Sequence, residues 1–390
     1  MRKISADILY PVSNNPIPNG VVILDDQNRV VAIDTRKNFQ EEDLETHKGV
    51  LVPGFINTHC HLELSHMKGK VATGTSLIPF ISNVVQFRDI PQEQILAAIQ
   101  AGDEEMYREG IVAVGDISNK ADTVSQKAKS DINYYTFIEC FDFLQEDWAN
   151  KSYQEYQEVY KAHSNKNGNK KSYVPHAPYS VSKNLFQLIN QANPDNCTVS
   201  LHNQETPDEN LFFQQKEGGF LDFYKNFDIS IDTFQPTGKP SINYALAHMN
   251  PRCKTLLVHN TMSNKTDIEL AHQWNPNCYW ATCPNANLYI ENRLPNYQHF
   301  LDTQAKVTIG TDSLTSNWQL SIIEEMKTIQ KFQSYVPFET LLQWATLNGA
   351  EALGYDQELG SIEVGKKPGI LLLNMKGNQL QQNTQVKRLA

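Results

Sequence analysis

The chain has 390 residues, 40% of them hydrophobic and 20% charged, with a mean hydropathy of -0.48. At about 150 residues per domain this length fits two or three domains, or one large barrel with an appendage, and the composition excludes disordered, collagen-like and disulfide-scaffold chains. A net charge of -10 repels polyphosphate and anionic lipid alike, which excludes nucleic acid and a membrane surface as expected partners.

The start, MRKISADILYPVSNNPIPNG, has no apolar stretch of signal-peptide length, and no later run reaches a membrane span, so a cytoplasmic location is expected. Over the first fifty residues, ISADILYPV and GVVILDDQNRVVAID flank turns such as Asp26-Gln27-Asn28, which predicts a small antiparallel sheet. From residue 51 the rhythm changes. Apolar runs recur as LVPGFINTH, GIVAVGDIS, YYTFIECF, KSYVPHAPYS, CTVSLHN, KTLLVHN, CYWATCPNA and AKVTIGTDS, eight in all. Between them lie segments such as Gln94 to Glu109, Asp267 to Trp274 and Leu320 to Phe332, with apolar residues at helical spacing. Eight strands alternating with helices predict an α/β fold, a (β/α)8 TIM barrel over residues 53–352.

Residues 207–250 form a long aromatic loop carrying Phe212, Phe213, Phe220, Phe223, Tyr224 and Phe227, which suits a lid over a ring or, with more weight, packing for extra helices. The end of the chain, LGSIEVGKKPGILLLNM, returns to β-type alternation with too few strands to stand alone. It is expected to pair with the N-terminal sheet, giving one composite β-domain from residues 1–52 and 353–390. The six cysteines show no C-x-x-C pair and read as buried reduced thiols; Cys283, in ATCPNAN, stands where a turn begins and is also a pocket candidate.

Chemistry gathers at the strand ends. In GFINTHCHLELS, His59 and His61 stand two apart, so a strand presents both imidazoles on one face. CTVSLHNQET ends in His202 with Glu205 three residues on, TLLVHN ends in His259, and KVTIGTDSLTSN ends in Asp312. Four of eight strand ends thus carry a metal-competent side chain at the face where barrels place reactive groups. Imidazoles and a carboxylate from scattered strands suit zinc or iron with a position left for water, the pattern of a catalytic site; a structural zinc site is closed and usually rich in thiolate.

In order and spacing, THCH, SLHNQE, LLVHN and IGTDS resemble the amidohydrolase superfamily of metal-dependent hydrolases, and the resemblance spans nearly the whole chain. It implies a β-sandwich built from both termini, the end of which departs from the common K-x-A-D-L-V pattern as KKPGILLL. It also implies one divalent metal ion, zinc first and iron second, held by His59, His61, His202 and Asp312. Two-metal members bridge their ions with a carboxylated lysine at the fourth strand end; here that strand ends in His176, which implies a mononuclear site. His176 in HAPYS resembles a substrate-contacting histidine of the deaminase and chlorohydrolase branch, and Glu205, Ser313 and His66 are the other substrate-binding candidates. For His47, His163, His248, His272 and His299 a solvated or packing role is expected.

The implied reaction is attack of metal-activated hydroxide on a ring carbon bearing an amino group. Asp312 moves the proton to the departing ammonia, His259 orients the nucleophile and Glu205 protonates the neighbouring ring nitrogen. VGDISN, HAPYSVS, CPNANLYI and GTDSLTSNWQLSIIEEM most resemble aminodeoxyfutalosine deaminases of the futalosine route to menaquinone, so the implied small-molecule substrate is that adenine nucleoside or a related one, and the implied assembly a homodimer. The alternatives are hydrolysis of a cyclic or linear amide or of a chlorotriazine, and a catalytically inactive member acting as a binding protein. A phosphoesterase is disfavoured, because the sequence has no Gly-rich phosphate cradle and is acidic.

Overall fold

The structure, a computed structural model, describes residues 1–375 and 377–390. All eight apolar runs are strands: β1 (Phe55–Cys60), β2 (Ile111–Ser118), β3 (Asn133–Cys140), β4 (Lys170–Pro175), β5 (Thr198–Asn203), β6 (Lys254–His259), β7 (Cys278–Thr282) and β8 (Lys306–Ile309). They pair in parallel as two four-stranded sheets, β4-β3-β2-β1 and β5-β6-β7-β8. β1, β2 and β5 are buried along their whole length, which is why their sequences read as near-continuous apolar runs: strands covered on both faces have no solvent side to alternate with.

The two sheets meet at both edges. Between β4 and β5, the His202 amide donates to the His176 carbonyl at 2.9 Å and the Ser172 hydroxyl to the Thr198 carbonyl at 2.6 Å. Between β8 and β1, the Asp312 amide donates to the His59 carbonyl at 2.9 Å and the Thr58 hydroxyl to the Ile309 carbonyl at 3.1 Å. Gly310 makes this second approach feasible, since a Cβ there would lie 2.8 Å from His59 Cβ and 2.9 Å from His59 O. Gly310→Ala is therefore expected to push β8 off β1, costing about 1–3 kcal/mol of stability and separating Asp312 from His59. Denaturant midpoints check the first effect and metal content the second.

The predicted helices appear as Gln92–Arg108, Lys265–Trp274 and Ile322–Phe332. The second starts where Asn264 and Asp267 exchange side-chain and backbone bonds in a capping box, two residues before the apolar spacing begins. Residues 207–250 are not one loop but contain three helices, Pro207–Gln215, Gly219–Asn226 and Ser241–His248. Phe212, Phe213, Phe220 and Tyr224 are fully buried in their packing, whereas Phe223 and Phe227 face a cavity described below.

The chain termini share one sheet: Ile370–Leu373 runs antiparallel to Val50–Pro53, which pairs with Ile8–Leu9. Arg2–Ser5, Gly20–Leu24, Val30–Thr35 and Glu45–Thr46 form another. The predicted hairpin turn is held by Asp25, whose carboxylate accepts the Gln27 and Arg29 amides at 2.9 and 2.8 Å. The N-terminal pairing is antiparallel except that Arg2–Ser5 lies parallel to Glu45–Thr46 and Ile8–Leu9 to Val50–Pro53. Ile4, Val22, Leu24 and Val30 from one sheet and Leu9, Leu51, Ile370 and Leu372 from the other make a single buried cluster. All six cysteines are free and buried, and Cys283 lies off the cavity wall. Among the described residues no helix is long and apolar enough to cross a membrane.

Candidate active site

At the C-terminal ends of the parallel strands three imidazoles converge. His61 Nε2 lies 3.2 Å from His59 Nε2 and 3.3 Å from His202 Nε2, and Asp312 Oδ1 stands 3.5 Å from His61 Nε2 and 3.7 Å from His59 Nε2. The period of two in β1 brings His59 and His61 to the same side, as the sequence pattern requires, and Cys60 is turned away and buried. Backbone strain accompanies this placement: His259 and Asp312 hold φ of 71° and 57°, and Gln204, beside Glu205, holds 46°. The enclosing bonds keep them there. The Asp312 amide is tied to His59, and Glu209 accepts the Gln204 and Glu205 amides at 3.0 and 3.1 Å.

This donor set fits a metal ion. The His202 Nδ1 proton is given to the His176 carbonyl at 2.9 Å, so its Nε2 lone pair faces His61 Nε2, and His61 Nε2 faces His59 Nε2 as well. One proton on His61 cannot satisfy both neighbours, whereas a cation with three nitrogen lone pairs and one carboxylate oxygen does. Burial holds the His59 and His202 imidazoles well below their usual range and lowers that of His61, which keeps them neutral and available as ligands.

The second group of residues faces the same space. His259 Nε2 lies 3.6 Å from Glu205 Oε1, and His259 Nδ1 is hydrogen-bonded to Asn287 Oδ1 at 2.9 Å, which fixes the imidazole tautomer. Burial, then the neighbouring Asp312 and Glu209 carboxylates, push the Glu205 carboxyl well above the ordinary range. A carboxyl raised in this way keeps its proton to higher pH than a free one, which suits it to donate that proton. Ser316 donates to Asp312 Oδ2 at 2.6 Å, leaving Oδ1 toward the imidazoles. His176, whose imidazole burial pushes down to about 3, is anchored through Nδ1 to the Ser180 hydroxyl at 2.7 Å.

A cavity of about 350 Å3 opens over these groups, walled by His61, His176, His202, Glu205, His259, Asp312 and Ser313. All the predicted site residues are thus brought together except His66. It was expected to contact substrate, but its Nε2 meets the Arg88 carbonyl at 2.8 Å beyond the end of helix Leu77–Phe87, and it lies outside the cavity wall. The turn after β1 packs mainly on helix Gln92–Arg108, and the His66 ring is spent on the Arg88 carbonyl and not on the cavity.

Sequence reasoning missed the rest of the wall. Leu77, Phe80, Ile81, Val84 and Val85 line the cavity from one helix at three-and-four spacing, beside Phe223 and Phe227, which the sequence had already offered for contact with a ring. That spacing was legible; what it faced was not, because an amphipathic stripe reads as core unless the opposite surface is known. Glu139, Asn119 and Arg88 complete the wall. Glu139 sat inside the apolar run YYTFIECF, where a charged residue one position before the strand end was the available signal.

The amidohydrolase family profile matches residues 50–389. An adenosine deaminase of Helicobacter pylori is 26% identical over 82% of this chain and 77% of its own length. A Helicobacter pylori aminofutalosine deaminase, solved with methylthio-coformycin, superposes with a TM-score of 0.80 at 22% identity, covering 97% of this chain and 94% of that one. An adenosine deaminase from Xanthomonas campestris with bound zinc superposes with a TM-score of 0.74 at 21% identity over 95% of this chain and 84% of that one. With the profile covering most of the chain and the strand-end donor set clustered, this protein belongs to the amidohydrolase family and is a hydrolase of carbon–nitrogen bonds.

Proposed function

We propose that this protein is a metal-dependent hydrolytic deaminase acting on an adenine nucleoside that carries an aromatic acid, of the aminodeoxyfutalosine type. The observation that carries the reading is the meeting, at one cavity, of a clustered nitrogen and carboxylate donor set with the buried Glu205, whose carboxyl is held above its ordinary range. His59, His61, His202 and Asp312 would hold one ion, zinc suiting the donors best and iron next. When bound, such an ion supplies a water that ionises near pH 7 instead of 15.7.

The chain's own residues do the remainder. Asp312 takes the water's proton and passes it to the departing amine. His259, held by Asn287, orients the nucleophile. Glu205 protonates the ring nitrogen beside the reacting carbon, so negative charge does not build up on the ring, and the proton released from the added hydroxyl as the carbonyl forms restores the Glu205 acid. His176 and Ser313 contact the substrate. The apolar wall of Phe80, Ile81, Val84, Phe223 and Phe227 supports an aromatic substituent at the far end of the nucleoside and excludes water from it. For the architecture, we propose that the two parallel sheets form a (β/α)8 barrel over residues 53–352 and that residues 1–52 and 353–390 form one β-sandwich domain.

The test is ammonia release by zinc-loaded protein from aminodeoxyfutalosine, adenosine, S-adenosylhomocysteine, guanine and aminotriazines, with each product identified by mass. Release from an adenine nucleoside, fastest from aminodeoxyfutalosine, is expected. Silence across the panel with metal bound would overturn deamination in favour of ring-opening amide hydrolysis, which yields no ammonia.

A further inference from the structure

We propose that Glu139, held by Asn119, binds a sugar hydroxyl of the substrate, so that the site selects a ribonucleoside over its dideoxy counterpart; the inference rests on the nucleoside reading above. Glu139 lies one residue from the end of β3, is 4% exposed and forms part of the cavity wall. One carboxyl oxygen, Oε2, accepts from the Asn119 side-chain amide at 2.6 Å. The other, Oε1, is buried with no hydrogen-bond partner among the described residues. Buried carboxyl oxygens are rarely left so, and one on a cavity wall points to a ligand group that completes it.

The surroundings hold this oxygen in place. Glu63 accepts the Asn119 and Lys120 backbone amides, both at 3.1 Å, which pins the residue that grips Glu139. Arg88 lies 3.6 Å from Glu63 Oε1 and makes no hydrogen bond to Glu139 Oε1. His202 Nδ1 stands 3.5 Å from Glu139 Oε1, but its single proton is already given to the His176 carbonyl at 2.9 Å. Oε1 therefore has no protein donor to serve.

The position fits a sugar. Glu205, His259 and Asp312 come from the ends of β5, β6 and β8, whereas Glu139 and Asn119 come from the ends of β3 and β2 in the other sheet. A purine whose amino-bearing edge meets Glu205 and Asp312 directs its glycosidic side toward the opposite wall. A hydroxyl is the group that suits a carboxyl there in either protonation state, because it donates to a carboxylate and accepts from a carboxylic acid.

The experiment compares zinc-loaded parent protein, Glu139→Met and Glu139→Gln on adenosine and on 2′,3′-dideoxyadenosine, with metal content and Tm measured for each. The parent is expected to favour adenosine by roughly 10- to 100-fold in kcat/KM, the cost of leaving a buried polar atom unpaired. Glu139→Met, near in shape but unable to bond a hydroxyl, is expected to erase that preference by raising KM for adenosine alone, and Glu139→Gln to restore part of it. Equal losses on both nucleosides together with falling zinc content would mean that Glu139 acts through His202 and would overturn the proposal, as would an unchanged preference in Glu139→Met. A parent that deaminates neither compound nor any other nucleoside overturns the nucleoside reading itself, and this inference with it.

Discussion

Glu205→Gln is expected to keep full metal content and fold while lowering kcat by about 100- to 10,000-fold, the usual worth of a positioned proton donor. Glu205 is 4% exposed, its carboxyl faces the cavity, and its backbone is fixed by Glu209 from the first turn of the next helix. A glutamine fills the same space and can still donate a hydrogen bond, but it has no proton to transfer. The pH dependence adds a second readout. Because burial and the nearby carboxylates raise the carboxyl, its acid form persists to higher pH than a free carboxyl's, and parent activity should fall as pH rises through the raised value. That basic limb should vanish from the residual activity of the glutamine variant. Ammonia release measured across pH, alongside metal analysis, checks both. Activity within a few-fold of the parent would remove Glu205 from the proton-transfer role.

The contrast between residues read from the chain and residues missed has a physical cause. His59, His61, His202, His259 and Asp312 were legible because each ends an apolar run, and a strand that must be buried leaves its reactive group at the rim. Glu205 followed from its place just past such an end. The pairing of Ile370–Leu373 with Val50–Pro53 was legible as a deficit: two isolated pieces of β-type sequence each had too few strands to bury a face. His66 misled because nearness in sequence to the first ligands says nothing of direction. The turn at Leu62–Met67 carries its ring to Arg88 instead. Glu139 and Asn287 were hidden for a different reason. Their roles depend on partners 20 and 28 residues away, Asn119 and His259, and a hydrogen bond across the fold has no periodicity to betray it.

His202→Ala should lose both metal and turnover, which separates it from Glu205→Gln. His202 is 7% exposed, its Nδ1 is anchored on a backbone carbonyl and its Nε2 faces the other two imidazoles, so it is preorganised to bind and costs little further ordering. Deleting a direct ligand is expected to weaken zinc binding by more than the roughly 10- to 100-fold that loss of an outer partner costs. Zinc bound to the folded state alone also stabilises it, by about 4 kcal/mol at a thousandfold excess over Kd. The parent, stripped with a chelator, should therefore melt earlier, recover its Tm and its activity when zinc is returned, and show both effects together. In His202→Ala the Tm should be nearly insensitive to added zinc. If the variant instead retained one zinc per chain and parental turnover, the ion would have to sit away from the His59, His61 and Asp312 cluster, and the catalytic assignment of all four residues would fall with it.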